Sequence, residues 1–589
     1  MRLFAASAIL TGILVAACST DRAASSGTRP PGDPTTSTGT TPNGTAGTDG
    51  TTTKTGLKGL ADLHVHMMAE EAFGGGWFHG SYDAAPVDCD GGFPPSNHAR
   101  VKQNLNALLE ACPAEAIIPW SDGGIVSELF GLSGIAASEF IGKIEGTEGD
   151  TGLHLGRRHA NTDFPRWDTI AHHQAWESWL GDAHARGLSL MVMSAVTFQF
   201  LCELMPDQNR TRACDESADI DAQLVKTHDF VARNPWAEIA LTPDDARRII
   251  GQGKLAVILS VEASGLFEKN PDWRPEFEHL WSQGVRTLQI AHQLDNRFIG
   301  AALHNPIFHV AEYLKTCHID TDCGKTVGNV TLGFDVDASC KNVRGLTAEG
   351  GDLAREMMRR GMPIDVAHVS ERGTADLFAV AQQNQYYPLY VSHGHFREVM
   401  NPELAATEKT TPAEIVRMVR QTGGLVGLRT FHDETREYTK SGVPNDCQGS
   451  TKSFAQAFEF GLKELKVGLA LGSDFNGFIQ QTRPRFGPNG ACSAGFADEA
   501  AAQSGAQSNR VGSDFDEKGL AHIGLIPDML ADLNHMGVDT STLDDSAERY
   551  IRMWERAAAT RTGPADDAAD LTTDGVAPYV PKDVRQQQY

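Results

Sequence analysis

Leu255-Ala256-Val257-Ile258-Leu259-Ser260-Val261, ending on Glu262, decides how this chain folds. The run is apolar throughout and does not alternate, so it reads as a strand of a parallel sheet covered on both faces. A helix precedes it. Thr242-Pro243-Asp244-Asp245 places Thr at the N-cap, Pro at the first helical position and an acid three residues on, and Gly251 follows as a stop. The same unit recurs along the chain. Short apolar runs at Leu60–Val65, Leu188–Ser194, Val285–Ala291, Pro363–Ala367, Pro388–Ser392, Gly424–Leu428 and Val467–Ser473 bring the number to eight. Between them, Thr411-Pro412-Ala413-Glu414 repeats the helix start, with Gly423 as its stop, and Leu353 and Met357 share one helical face before Gly361. Strand and helix alternating eight times predict an α/β fold, a (β/α)8 TIM barrel with long inserted loops.

Reactive side chains of such a barrel sit at the C-terminal ends of its strands. His64 and His66, Glu262, His292, His368, His393 and Asp474 all fall there. Asp62-Leu63-His64-Val65-His66 is one strand, and residues two apart on a strand share a face, so both imidazoles reach one ion. Singly, each has an ordinary reading: a strand His is commonly a satisfied core residue, Glu262 can cap a helix, His292 can be a buried hydrogen-bonding residue and Asp474 can begin a turn. Together, ligand-type side chains at so many separate strand ends point to a metal site.

The ends of the chain suggest its setting. Met1-Arg2, the apolar Leu3–Leu14 and Val15-Ala16-Ala17 before Cys18 resemble a bacterial lipoprotein signal over 1–17. That implies lipidation of Cys18 and an exported protein, periplasmic or cell-surface, held to a membrane by its anchor without spanning it. An ordinary cleaved signal with an incidental Cys is the other reading. Residues 18–57 are rich in Thr, Gly, Ser and Pro and form a flexible tether; 58–562 is the barrel; 563–589 is a polar tail. The net charge of -25 becomes -26 once Arg2 leaves with the signal, a sign that disfavours nucleic acid as a partner.

Beside Cys18 stand nine cysteines: Cys89, Cys112, Cys202, Cys214, Cys317, Cys323, Cys340, Cys447 and Cys492. An exported chain keeps disulfides, and the close pairs Cys202 with Cys214 and Cys317 with Cys323 are expected as loop staples. Nine is odd, so at least one thiol has no partner within the chain. Cys-x-x-Cys spacing is missing, which argues against zinc on these cysteines.

Six segments carry a family resemblance: Ala240-Leu241-Thr242-Pro243 running to Leu259-Ser260-Val261-Glu262; Val285-Arg286-Thr287-Leu288 to Ala291-His292; Gly345-Leu346-Thr347; Ile364-Asp365-Val366-Ala367-His368-Val369-Ser370; Val391-Ser392-His393; and Leu471-Gly472-Ser473-Asp474-Phe475-Asn476-Gly477. The chain resembles the membrane (renal-type) dipeptidases of the metal-dependent amidohydrolase superfamily. The resemblance implies two divalent ions, zinc first for a nitrogen and oxygen ligand set, with manganese, iron or cobalt as other metals it suits. Glu262 would bridge them, with His64 and His66 on one and His368 and His393 on the other, and Asp474 a further metal ligand. It also implies attack by a metal-bridging hydroxide on a dipeptide or related amide, Asp474 as proton carrier and His292 facing the oxyanion. The chain departs from the family twice. His64-Val65-His66 stands where the family has His-x-Asp, and the Arg that follows the sixth-strand His to pair with a dipeptide carboxylate is not evident, Arg397 lying close behind His393 at a different spacing. Two further functions stay open: hydrolysis of a lactone or phosphate ester on the same barrel, and a non-catalytic binding lipoprotein. The loop Gly74-Gly75-Gly76-Trp77-Phe78-His79-Gly80 after the first strand either sets specificity or is a stapled surface excursion.

Overall fold

The structure is a computed structural model that describes residues 56–78, 80–85, 165–170, 172–204, 210–316, 318–320, 322–323, 331–431, 435–487, 490–492 and 510–559. The expectations for the signal, Cys18, nearly all of the tether, the tail, His79, Cys89, Cys112 and Cys317 lie outside these residues.

Eight parallel strands close into a barrel: β1 (Leu60–Val65), β2 (Leu188–Thr197), β3 (Leu255–Ala263), β4 (Leu288–Gln289), β5 (Ile364–Asp365), β6 (Leu389–Gly394), β7 (Leu425–Leu428) and β8 (Gly468–Leu471). They are the eight apolar runs expected. Each pairs with its sequence neighbour, and β8 pairs back onto β1 through Asp62 and Leu471. The longest seam, β2 with β3, keeps one register from Leu190 and Ala256 to Thr197 and Ala263. A short strand, Ala237–Ile239, was not anticipated; it pairs with the start of β3. Because Ala256 already pairs with Leu190 on one side, this strand lies on the other, towards β4.

Helices cover the barrel: α1 (Glu177–Ala185), α2 (Glu216–Arg233), α3 (Pro243–Gly251), α4 (Arg274–Ser282), α5 (Ala348–Arg359), α6 (Glu371–Gln383), α7 (Ala413–Gln421), α8 (Thr451–Phe460), α9 (Ile526–His535) and α10 (Ser546–Ala559). At α3 the expected cap forms, the Asp245 N–H donating to Thr242 Oγ1 at 3.0 Å. Gly251 itself stays helical, and the chain turns at Gly253, whose φ of 72° is the left-handed region glycine enters freely. At α7 the expected Thr411 cap is displaced. The Thr411 N–H donates to the His395 carbonyl and its own carbonyl accepts from the Arg397 N–H, so Thr411 is tied to the exit of β6 and Pro412 becomes the cap residue. No helix among the described residues is long and apolar enough to cross a membrane.

The last helix closes the N-terminal end of the barrel. The Ala61 N–H donates to Ser546 Oγ at 2.7 Å, and at the other end of α10 Ala558 packs on Gly361, ahead of β5. Between them Tyr550 is fully buried, its ring 5.8 Å from that of Tyr390 on β6. Arg247 of α3 ties α10 down through Glu548 at 2.7 Å and Glu555 at 2.6 Å.

Three disulfides are formed: Cys202 with Cys214, Cys323 with Cys340 and Cys447 with Cys492. The first is as expected. The second corrects the pairing of Cys317 with Cys323: the antiparallel pair Ile319–Asp320 and Thr331–Leu332 folds the chain back, so the later Cys340 is the one beside Cys323.

Candidate metal centre

All seven strand-end side chains meet at the C-terminal mouth. His64 and His66 Nε2 each lie 3.2 Å from Glu262 Oε2, and His66 Nε2 lies 3.2 Å from Asp474 Oδ1. The other carboxylate oxygen faces a second set. Glu262 Oε1 is 3.4 Å from His368 Nε2, 3.6 Å from His292 Nε2 and 4.0 Å from His393 Nε2. Glu262 thus stands between two nests of donors, His64 with His66 and His292 with His368, and belongs to both. His292 is closer to the ligand set than a purely oxyanion-facing role requires.

The local backbone aims these groups. Register on β1 puts His64 and His66 on one face, and the His66 Nδ1 bonds the Ser194 carbonyl of β2 at 2.9 Å, turning Nε2 into the centre. His393 Nδ1 lies 3.0 Å from Ser392 Oγ, which turns its Nε2 the same way. His368 and Asp474 sit just past their strands with φ of 60° and 57°, a region that costs a non-glycine residue about 1–3 kcal/mol and that clusters at working sites. Both are held there: the Ala302 N–H bonds the His368 carbonyl at 2.8 Å, and the Asp474 N–H bonds the His64 carbonyl at 2.9 Å.

Burial would push the Glu262 carboxyl up, but His292 and His64 beside it hold it well below the usual carboxylate range. Burial and the Lys409 ammonium keep His368 neutral; burial and His64 do the same for His393. Burial pushes His292 down to about 4. His66 goes the other way: burial opposes its charge, yet Asp474 and Glu262 together raise it to about 10. The His66 side of the cluster therefore attracts positive charge, and the His368 side offers bare nitrogens whose Nε2 atoms are 2.9 Å apart. Carboxylates that draw positive charge to the His66 side, beside the unprotonated nitrogens of His368 and His393, are a donor set that suits divalent cations.

Two cations escaped the sequence reading. Lys409 Nζ bonds His368 Nε2 and lies 3.2 Å from His393 Nε2; burial, with Arg429 nearby, pushes its ammonium down to about 7. Arg429 grips Asp474 Oδ2 at 2.7 Å and, after burial has pushed that carboxyl up, brings it below its ordinary value. Arg429 directly follows β7, so the strand-end rule reaches it; Lys409 lies in the loop before α7, where nothing local marks it. Arg397 is not in the site. Its guanidinium bonds the Thr407 and Thr410 carbonyls at 2.9 Å and Glu371 at 2.7 Å. The loop after β1 is no loose excursion where it is described: Trp77 and Phe78 are buried, and Phe478, just past Asp474, stacks on Phe78 at 4.6 Å.

The mouth of this closed parallel barrel gathers imidazoles around one shared carboxylate, an arrangement that can hold divalent cations. Residues 315–563, which carry the second half of the barrel, match the family model for membrane dipeptidase, peptidase family M19. That half of the barrel is therefore similar to the family the sequence resembles. Among curated proteins, a dipeptidase of Claviceps purpurea is 21% identical over 354 residues, covering 59% of this chain and 63% of that one. An uncharacterised dipeptidase of Schizosaccharomyces pombe is 26% identical over 232 residues, covering 39% and 43%. The chain thus matches less than two thirds of the length of either. Among solved structures, a metallopeptidase from Rhodobacter sphaeroides, liganded with a phosphinate mimic of the dipeptide L-Ala-D-Ala, aligns at a TM-score of 0.43 with 15% identity, over 65% of this chain and 90% of that one. A probable dipeptidase from Pseudomonas aeruginosa aligns at 0.42 with 14% identity, over 64% and 88%.

Proposed function

We propose that this protein is a two-metal hydrolase that cleaves a dipeptide or a related small amide. The observation that carries the reading is Glu262, whose Oε2 faces His64 and His66 while its Oε1 faces His368 and His393. His64, His66 and Asp474 would hold one ion, His368 and His393 the other, with Glu262 between them and zinc the metal of first choice. Bound there, the ions supply an acidified water and polarise the substrate carbonyl.

The chain's own residues do the rest. Arg429 holds Asp474 by Oδ2 and keeps it ionised, which leaves Oδ1 to take the proton of the attacking water and pass it to the leaving amine. His292 faces the oxyanion from the Oε1 side. Lys409, a half-buried cation beside His368 and His393, takes the substrate carboxylate, a role Arg397 cannot fill from where it is bound. Lysine serves as a point charge there rather than a bidentate fork, so carboxylate recognition is looser than arginine would give.

Metal content by elemental analysis, combined with turnover of a dipeptide panel beside a lactone and a phosphoester, tests the reading. About two metal equivalents and cleavage of dipeptides are expected; turnover of the esters alone would replace it, and metal-free protein with no turnover would leave a binding module. Cys18 as the lipid-bearing residue is part of the same proposal. Palmitate labelling in a bacterial host should appear in the full chain and vanish in Cys18→Ser; label that persists in the variant rules the anchor out.

A further inference from the structure

One group bonded to Glu262 is neither a candidate ligand nor charged. Gln289, at the end of β4, pairs in register with Glu262 across the sheet, and side chains so paired on neighbouring parallel strands leave the same face. Gln289 Nε2 donates to Glu262 Oε1 at 2.7 Å and to the Ala291 carbonyl at 3.0 Å. Two acceptors at one end of the amide decide which end is which, since only the NH2 group can serve both. The side chain is fully buried, and its carbonyl oxygen bonds no described residue, so the amide is held by its donor end alone.

The two carboxylates of the centre are thus held by different means. Asp474 Oδ2 meets the Arg429 guanidinium at 2.7 Å, a cation that offsets its charge. Glu262 Oε1 meets a neutral amide. A cation there would hold the oxygen harder and cancel the charge that metal ions need, whereas an amide aims the oxygen and leaves that charge in place. Oε1 is also the oxygen that faces His292, His368 and His393. Gripping it fixes the turn of the carboxylate about its last bond, and with it the direction from which Oε1 meets that nest. Oε2 has its own fixtures in His64 and His66, each at 3.2 Å.

We infer that Gln289 is the positioning residue of the shared carboxylate: it holds Oε1 at the angle at which one glutamate serves two ions, and the ion on the His368 and His393 side depends on it more than the other does. The inference rests on the two-metal reading above. Groups that bond a metal ligand from behind commonly change metal affinity by about tenfold to a hundredfold.

The test reads metal affinity as well as turnover. The full chain, stripped with a chelator, is titrated with Zn2+ against a chromophoric competitor, and its thermal midpoint is recorded without metal. In Gln289→Met, which keeps the length of the side chain and loses the donor, one of two zinc equivalents should bind about tenfold to a hundredfold more weakly while the other changes much less. Gln289→Asn, an amide one methylene too short to reach Oε1, should weaken the same equivalent, and it carries the test alone where Gln289→Met does not fold. A lowered midpoint with both affinities as in the parent makes Gln289 a structural residue and overturns the inference; equal weakening of both equivalents overturns it too. Dipeptide turnover of the parent separates this failure from failure of the function proposed above. Two zinc equivalents of which the variants loosen one, with no dipeptide cut, keep Gln289 in its role and remove the dipeptidase; a parent chain that binds no zinc removes both.

Discussion

At the closed end of the barrel Arg247 meets Glu548 at 2.7 Å and Glu555 at 2.6 Å, and Arg552 meets Glu548 at 2.8 Å, each charge against its opposite. At the mouth, His368 and His393 turn their Nε2 atoms towards each other at 2.9 Å, and imidazoles from four strand ends crowd the single carboxylate of Glu262. Charges at the closed end pair with their opposites, whereas at the mouth nitrogen donors face one another. Groups arranged for pairing hold a fold together; like groups aimed at a common centre oppose it, and persist where something outside the chain completes them. The strained φ values of His368 and Asp474 fall at the same end.

The sharpest way to break this contrast is Glu262→Gln. Removing the shared charge should release metal and reduce turnover by about a thousandfold or more, read by elemental analysis and dipeptide hydrolysis together. Full metal content with full rate would take Glu262 out of the centre. Next comes Lys409→Met, for which KM for dipeptides should rise about tenfold to a hundredfold while kcat moves less, with Lys409→Arg restoring most of the loss. A fall confined to kcat would assign Lys409 to the reaction instead of to binding.

At the closed end the expected effects are on stability and leave the mouth alone. Burial would raise the Glu548 carboxyl, but Arg247 and Arg552 bring it from 4.5 down to about 2 in the folded chain. A depressed folded value means the stabilisation is complete above pH 4.5 and is lost as the pH falls from there to about 2. Glu548→Gln should therefore lower the thermal midpoint at neutral pH and flatten the acid limb of the stability curve across that window, with dipeptide KM unchanged. An acid limb identical to that of the parent chain would show that the pair does not matter to folding. The smallest effect is expected from Thr242→Ala, which removes the cap of α3 at a cost of about 1 kcal/mol, measured by denaturant unfolding.

The eight strands were legible because each is written in consecutive residues, and a run such as Leu255–Val261 has few ways to be anything but a covered parallel strand. The candidate ligands inherit that legibility: once a strand is placed, its last residues are placed, and His64, His66, Glu262, His368, His393 and Asp474 follow. What the sequence hid lies off the strands. Lys409 reaches the centre from a loop, and Cys340 displaces Cys317 as the partner of Cys323 because a two-stranded turn brings it there. Arg429 lies one residue past β7, where the rule that places the histidines reaches it too.

Helix α10, lying across the foot of the barrel, also settles where the described chain begins and stops. Leu57, whose N–H bonds Glu548, enters beside it, and Ala559 leaves from its far end. Both ends of the described chain therefore lie on the side of the barrel opposite the candidate metal centre.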